Sequence, residues 1–425
     1  MIISQSLTKG LEACLITRWS ESTEVSFRFN RLRNIANTEN VSHTLQVIKD
    51  GKTGVLNIAG FEPAQEHLDK VVELSEFGSP VNYSFPQPEQ PPNPEMYHQD
   101  VVDLGLDTMI DRGSELVEFL RALDPAINAS CSIAKSHYKK AIHNTKGLSA
   151  SWSKTVVETV VGVELAQGQN LISIYDWYVS TGLDCNLDQM KAGIERDFNL
   201  SKKPVDIEPG SYHVVFTPSA FADLIHPIVA CLDGKSVVRG ISPLRGRLGE
   251  KVFSDKLTIV EDGTLKNGVG SALYDDQGVR CQRTFLVNAG VLSEYLLDLE
   301  SAKALNRRPT GTGRISSISP NNLLVLPGDT PSSKMVSGME KGIIIKETMG
   351  AWAGNPYSGQ VTGNISLGFL VENGKPVGRI KDCMFSVNIF RDLQHNLLGL
   401  SQETQSKGYI LPYALLSDVS ISTKH

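Results

Sequence analysis

A histidine and a cysteine on an apolar segment come nearest to a metal-binding pattern in this sequence. His226 and Cys231 lie five residues apart, and Pro227 directly follows the histidine. On a helix of about 3.6 residues per turn, this spacing places the two side chains about 140° apart around the axis. Both could reach one ion only where the helix is distorted. Pro227 supplies a distortion, because proline removes a backbone donor and crowds the preceding turn.

Two candidate ligands do not complete a zinc site, and no carboxylate stands next to His226 to activate a water molecule. The surrounding residues form a nearly continuous apolar stripe, typical of a helix packed in a core: Phe221, Leu224, Ile225, Ile228, Val229 and Leu232. The residues alone therefore favour a packed helix in which His226 and Cys231 are packing residues. We assign no catalytic, metal-binding or cofactor-binding residue from this pattern.

Motifs for phosphate or nucleotide binding are incomplete. The Gly-Lys pairs at 51–52 and 234–235 would each need a glycine five residues before their own, where Gln46 and Val229 stand instead. Gly311-Thr312-Gly313 begins like a dinucleotide fingerprint but lacks its third glycine and its βαβ setting. No Gly-x-Ser-x-Gly nucleophile elbow occurs. The sequence gives no nucleotide-binding or serine-hydrolase signature.

Composition and charge argue against a nucleic-acid-binding protein and against a membrane-spanning one. The 425 residues carry 41 Lys and Arg against 47 Asp and Glu, a formal net charge of −6, whereas proteins that bind nucleic acid usually carry excess positive charge. We therefore expect no direct nucleic-acid partner. The six cysteines form no CxxC pair, and no apolar run is long enough to span a membrane. These features predict a cytoplasmic protein with reduced cysteines and no membrane contact.

The spacing of apolar residues and turn residues along the chain predicts an α+β fold with two domains. In the first, a helix at 7–15 precedes a meander of strands at 23–31, 44–49 and 54–58, with Asp50-Gly51 as the hairpin turn, and a helix at 63–76 closes it. Six prolines between 80 and 94 predict an extended strap over the surface. A long helix from 100 to 123 and further strands follow. We expect this N-terminal sheet-and-helix domain to cover residues 1–205.

The second predicted domain, 206–425, is β-dominated. It opens with a strand at 212–217 and the apolar helix at 219–232, with Gly234 as the C-terminal cap. Short glycine-punctuated strands then follow, a pattern typical of a barrel or a sandwich. Asn373-Gly374 predicts a hairpin turn between two of them.

Taken in order, several segments resemble the TldD/PmbA family, and its PmbA (TldE) branch in particular. The resemblance covers nearly the whole chain and includes the following motifs: Leu45 to Gly54, Asn144-x-x-Gly147, Tyr212 to Pro218, Arg247 to Lys251, Leu257 to Asp262, Tyr274 to Gly278, Pro327-Gly328-Asp329, Lys341-Gly342-Ile343, Ser358-Gly359 and Gly368 to Lys375.

The resemblance implies a subunit of a cytoplasmic metallopeptidase system that acts on unfolded or leader peptides. In the family, the TldD-type subunit carries His-Glu-x-x-x-His on a helix and a cysteine near the C-terminus. Together these hold zinc, and the glutamate activates water. In this sequence the motif is degenerate: His226 is retained, Pro227 replaces the glutamate, and Cys231 replaces the second histidine. No cysteine follows Cys383, so the C-terminal ligand is missing as well.

Two hypotheses follow. The first is a non-catalytic partner, with zinc held by a TldD-type homologue, in a dimer formed with that homologue or with a second copy of this chain. The second is a stand-alone peptidase or other hydrolase, either with an unusual site at His226 and Cys231 or with residues that the sequence does not locate. The family's older description as a modulator of DNA gyrase suggests nucleic-acid machinery, which the acidic charge balance argues against.

Overall fold

Long antiparallel strands build the first half of the chain. The computed structural model describes residues 2–60, 62–168 and 170–423, and the first six strands form one sheet in the order β3-β2-β1-β4-β5-β6. The elements are α1 (Ile2–Thr8), β1 (Glu12–Arg28), β2 (Arg31–Lys49), β3 (Lys52–Ala59), α2 (Gln65–Glu76), α3 (Gln99–Val102), α4 (Leu106–Leu123), β4 (Asn128–Asn144), β5 (Ser149–Gln167), β6 (Asn170–Ser180) and α5 (Leu187–Ser201).

The second half is built on a 12-stranded sheet. Its elements are β7 (Pro204–Val205), β8 (Gly210–Phe216), α6 (Pro218–Leu232), α7 (Gly234–Val238), β9 (Ile259–Asp262), β10 (Arg283–Asn288), β11 (Val291–Leu292), α8 (Leu299–Ala304), β12 (Leu323–Val325), α9 (Ser332–Ser337), β13 (Lys341–Met349), β14 (Gln360–Glu372), β15 (Lys375–Ile380), β16 (Cys383–Asn388), α10 (Ile389–His395), β17 (Leu397–Lys407) and β18 (Tyr409–Thr423).

The two-domain α+β prediction is confirmed, with helices and long strands first and a β-dominated part after them. The boundary between 205 and 206 stays a prediction, and β7, just before it, already pairs with β15 of the second sheet. The domains share apolar contacts, because Leu367 and Phe369 of β14 pack into the core formed by the first sheet and its helices. No helix in the described part of the chain is long and apolar enough to cross a membrane.

The predicted meander is present, but its strands are longer than predicted. Asp50 and Gly51 both have positive φ, 50° and 71°, as a two-residue type I′ turn requires. The helix predicted at 7–15 is wrong, because α1 ends at Thr8 and Glu12 opens β1. That strand pairs with β2 on one side and β4 on the other, so tertiary pairing overrides the local helical pattern.

The proline-rich strap of residues 80–94 contains no helix, and its one strand-like contact is a bridge from Pro80 to Lys52. Phe85 is buried in an apolar cluster that also contains Tyr274. The Tyr274 hydroxyl donates to the carbonyl oxygen of Glu89 at 2.5 Å. The strap therefore joins the first sheet to the second domain.

Gly234 does not cap helix α6 as predicted. Asp233 occupies the cap position in an extended conformation, and Gly234 begins α7. A Cβ atom at Gly234 would lie 2.7 Å from the Leu297 side chain and 2.8 Å from the Leu296 carbonyl oxygen. Glycine is therefore required here by close packing rather than by a turn.

Candidate functional site

Helix α6 carries the residues that the sequence singled out. Pro218 at its first turn suits a helix start, because proline has no N–H to leave unpaired and its φ is already helical. Phe221, Leu224 and Ile228 on its inner face are fully buried in the core of the second domain. Pro227 lies inside the helix, so the carbonyl group four residues earlier, at Asp223, lacks its usual helical donor.

His226 is on the exposed side of α6, so the prediction that it packs in the core is wrong. Its Nδ1 lies 3.0 Å from the hydroxyl oxygen of Tyr409 on β18, and the two ring centroids are 4.8 Å apart. Within the described part of the chain, Nε2 of His226 makes no hydrogen bond. Enclosure by neighbouring side chains lowers the pKa of the imidazole, and the nearby Asp223 partly opposes this effect. The lowered pKa favours the neutral ring, and Nε2 is without a hydrogen bond among the described residues.

Cys231 faces the other way and is fully buried. Its Sγ donates to the carbonyl oxygen of Pro356 at 3.7 Å, and burial raises the pKa of the thiol to about 12. A zinc ligand would have to be the thiolate, and a single ion cannot meet both an exposed imidazole and a buried thiol. The side chains at the positions of the metal motif, His226, Pro227 and Cys231, therefore do not fit a zinc ion.

Other donors do not complete such a site. In residues 2–60, 62–168 and 170–423, no three side chains of His, Cys, Asp or Glu come together in a way that could hold a metal ion. Cys383 is buried on β16, where its Sγ donates to the Lys381 carbonyl oxygen at 2.9 Å.

Polar and ionisable groups from three elements surround the exposed face of α6. The Thr348 hydroxyl on β13 donates to the Asp223 carboxylate, and the adjacent Glu347 lies near Tyr175 of β6 in the first sheet, whose pKa is raised by burial and also by Glu347. Burial raises the pKa of Glu347 to about 7, with the charge of Lys346 opposing it. This group of side chains therefore contains a carboxyl group that changes protonation near neutral pH.

Two ion pairs beside this group of side chains join the two domains. Lys407 at the end of β17 lies 2.5 Å from the Asp176 carboxylate of β6, and Lys346 of β13 pairs with Asp197 of α5. Asp197 is almost completely buried and Lys346 largely so. Such pairs fix geometry, because removing one partner leaves the other charge buried and uncompensated.

Sequence reasoning found His226 but missed its neighbours. Asp223 carried a usable signal, because it precedes His226 by three residues and shares its helix face. Tyr409, Glu347 and Tyr175 carried none, since the tertiary fold brings them together from strands far apart in the chain.

Comparison with known proteins decides the family. The model of the PmbA/TldA metallopeptidase C-terminal domain matches residues 209–423, half of the chain. The chain belongs to the PmbA/TldD family. An uncharacterized protein of Methanocaldococcus jannaschii is 26% identical over 363 residues, which cover 81% of each chain. Other relatives are named metalloproteases, and the alignments with PmbA of Escherichia coli O157:H7 and with a second M. jannaschii protein span about half of those proteins.

Solved structures of PmbA/TldD relatives show the same fold. TldE from Thermococcus kodakarensis superposes with a TM-score of 0.91 at 19% identity, covering 97% of this chain and 96% of its own. A Thermotoga maritima MSB8 protein described as a candidate modulator of a DNA gyrase also gives a TM-score of 0.91, at 22% identity, covering 99% and 98%. At these identities the likeness establishes the fold alone.

Proposed function

We propose that this chain is the non-catalytic, PmbA/TldE-type subunit of a two-subunit metallopeptidase system. One observation carries the proposal: at the family's metal-motif positions, helix α6 presents an exposed His226, a proline and a fully buried Cys231. Water activation at zinc needs a complete ligand set and a proton acceptor. The glutamate that would accept the proton is replaced by Pro227, which cannot do so.

The positive role is to form one wall of a chamber shared with a TldD-type homologue that holds the zinc. The substrates in this proposal are unfolded or leader peptides, and the location is the cytoplasm. Two findings support the proposal: the model of the family's C-terminal domain matches residues 209–423, and the whole-chain fold resembles that of a protein named TldE. A stable interface of this kind should bury well over about 1,000 Å².

The test is co-expression with a TldD-type homologue that has an intact His-Glu-x-x-x-His motif. We expect the purified chain alone to contain no stoichiometric zinc and to degrade no peptide, and the pair to run as a heterodimer in light scattering and to degrade peptides. Replacing the partner's motif glutamate should abolish that activity, whereas His226→Ala here should leave it unchanged. About one zinc bound per isolated chain, lost together with activity, would refute the proposal.

A second candidate function, a metal-independent hydrolase, is favoured by the polar groups around helix α6. The free Nε2 of His226 and a Glu347 carboxyl group with a pKa of about 7 are suited to proton transfer. Peptide hydrolysis by the isolated chain in the presence of EDTA, abolished by both His226→Ala and Glu347→Gln, would establish this function and exclude the first.

A further inference from the structure

A cavity lined from both domains lies away from helix α6. Its volume is about 430 Å³, within the usual range for small-molecule sites. Strands β1, β2, β4 and β5 of the first sheet form one wall. Residues 270–276 of the second domain, together with Arg314 and Asn321, form the other.

The cavity lining has a strong excess of positive charge. It contains four cationic side chains and one carboxylate, that of Asp276; the cations are Arg18, Lys140, Lys154 and Arg314. Lys139 also borders the cavity, but its side chain lies on the opposite face of the sheet from Arg18 and Lys140. Asp276 is shared by two of them, with Nη2 of Arg18 at 2.9 Å and Nζ of Lys140 at 2.5 Å.

The other two cations make no ion pair. In the part of the chain that the structure describes, no carboxylate lies within 4.0 Å of Lys154 or Arg314. Their hydrogen bonds are with neutral groups. Nζ of Lys154 donates to the Val269 carbonyl oxygen at 2.6 Å, and Nη2 of Arg314 donates to the Asn321 side chain at 3.0 Å.

The cations of the cavity disfavour one another's charged forms. Like charges in a partly dehydrated cavity repel one another more strongly than they would in water. Burial, together with Lys140 and Arg314, lowers the pKa of Lys154 to about 8. The nearby carboxyl group of Asp275 is fully buried and accepts backbone N–H groups of Gln277, Val279 and Gly313, so it fixes the loop that carries Asp276. The cationic groups are thus left facing the cavity, where an anion would relieve their repulsion.

We propose that this cavity binds a small multivalent oxyanion, either a phosphoryl compound or a polycarboxylate. The guanidinium group of Arg314 and the ammonium group of Lys154 would supply charge-assisted hydrogen bonds. The rings of Tyr138 and Trp152 provide apolar walls, and the volume admits a ligand larger than inorganic phosphate. Because the walls belong to different domains, a bound anion also links the domains. This inference does not depend on the proposed peptidase role.

The test is calorimetric titration of the full chain with pyrophosphate and with citrate at constant ionic strength. We expect at least one of them to bind with a 1:1 stoichiometry, and the tighter of the two assigns the class of oxyanion.

Lys154→Met and Arg314→Gln should each weaken binding about tenfold, because one charge-assisted contact is lost. The control is Lys202→Met: Lys202 also lies over an aromatic ring, 4.4 Å from the centre of Phe198, but outside the cavity. Its variant should bind as the wild type does.

Proton uptake gives a second readout. Arg18, Lys140, Arg314, Asp276 and Tyr138 face Lys154 from the surrounding elements, and a bound anion would raise the pKa of its ammonium group. Titrations near pH 8 in buffers of different ionisation enthalpy should show proton uptake that is absent in Lys154→Met. Circular dichroism confirms that each variant is folded. Failure of both anions to bind at millimolar concentration, or equal weakening by Lys202→Met, would overturn the proposal.

Discussion

The hydroxyl group of Tyr409 lies 3.0 Å from Nδ1 of His226, although 183 residues separate them in the chain. This contact ties the exposed edge of helix α6 to the start of β18. It fixes the imidazole orientation through one ring nitrogen and leaves the other, Nε2, without a hydrogen bond in the described part of the chain.

Removing that hydroxyl should cost stability. We expect Tyr409→Phe to lower the free energy of unfolding by about 1 kcal/mol, the usual net value of one hydrogen bond. Urea denaturation measures the change. In the control, Tyr413→Phe, the lost bond is the longer one from Gln405, at 3.3 Å, and the effect should be smaller. Equal losses of unfolding free energy in the two variants would show that the His226 contact contributes no more than the bond from Gln405.

Cys231 should behave as a packing residue. Cys231→Ala removes a fully buried side chain and leaves a small cavity, so we expect a loss of roughly 1–2 kcal/mol in the free energy of unfolding. Cys185→Ala, at a half-buried position, is the control and should cost less. Activity supported by a TldD-type partner should be intact in both variants. Unchanged stability with lost function in Cys231→Ala would contradict the packing role.

Two glycines should respond to alanine in opposite directions. Gly234→Ala places a methyl group against Leu296 and Leu297, and such overpacking typically costs 1–3 kcal/mol, so a loss of about 2 kcal/mol is expected. Gly193 lies inside α5, and no atom of the surrounding elements comes within 4 Å of the position that an alanine methyl group would take. Alanine there should stabilise the protein by roughly 0.5–1 kcal/mol. Thermal unfolding of both variants measures the difference, and a stabilised Gly234→Ala would contradict the close packing described for α7.

Glu347 should make stability depend on pH in the acidic range. Its pKa is about 7 in the folded protein against an ordinary value of 4.5, so between these values the folded state binds more protons than the unfolded state. Stability therefore falls as pH rises from about 4.5 to about 7. Glu347→Gln cannot titrate and should show a smaller decline across this window. Parallel profiles for the two proteins in urea denaturation at several pH values would refute this assignment.

Local patterns predicted those elements whose signals are local. Asp50-Gly51 and Asn373-Gly374 are turns with positive φ at both residues, and α6 begins one residue before its predicted start. The turn between β1 and β2 was not predicted, because Phe29 and Asn30 lack a turn signature. Their positive φ values are supported by tertiary contacts, in which the Asn30 amide bonds to Ile127 and Ala129.

The candidate site was predictable only in part, for the same reason. The departure of His226-Pro227 and Cys231 from the family motif can be read from the sequence alone. The opposite exposure of His226 and Cys231 cannot, because it depends on which face of α6 the second sheet covers. The cationic cavity was equally hidden, since its residues come from β1, β2, β4, β5 and two distant loops, and the chain as a whole is acidic.

The strap of residues 80–94 has a consequence for biosynthesis. Its hydrogen bond to the second domain, between Glu89 and Tyr274, spans 185 residues, and a nascent chain leaves the ribosome N-terminus first at about 5–20 residues per second. The strap can dock on the first sheet early, through the bonds of Phe85 to Glu12 and of Pro86 to Asn144. It lacks its contact with the second domain for about 10–40 s at that rate of elongation. During this interval the side of Phe85 that Tyr274 later covers is exposed on the growing chain, and a ribosome-associated chaperone would have access to it there.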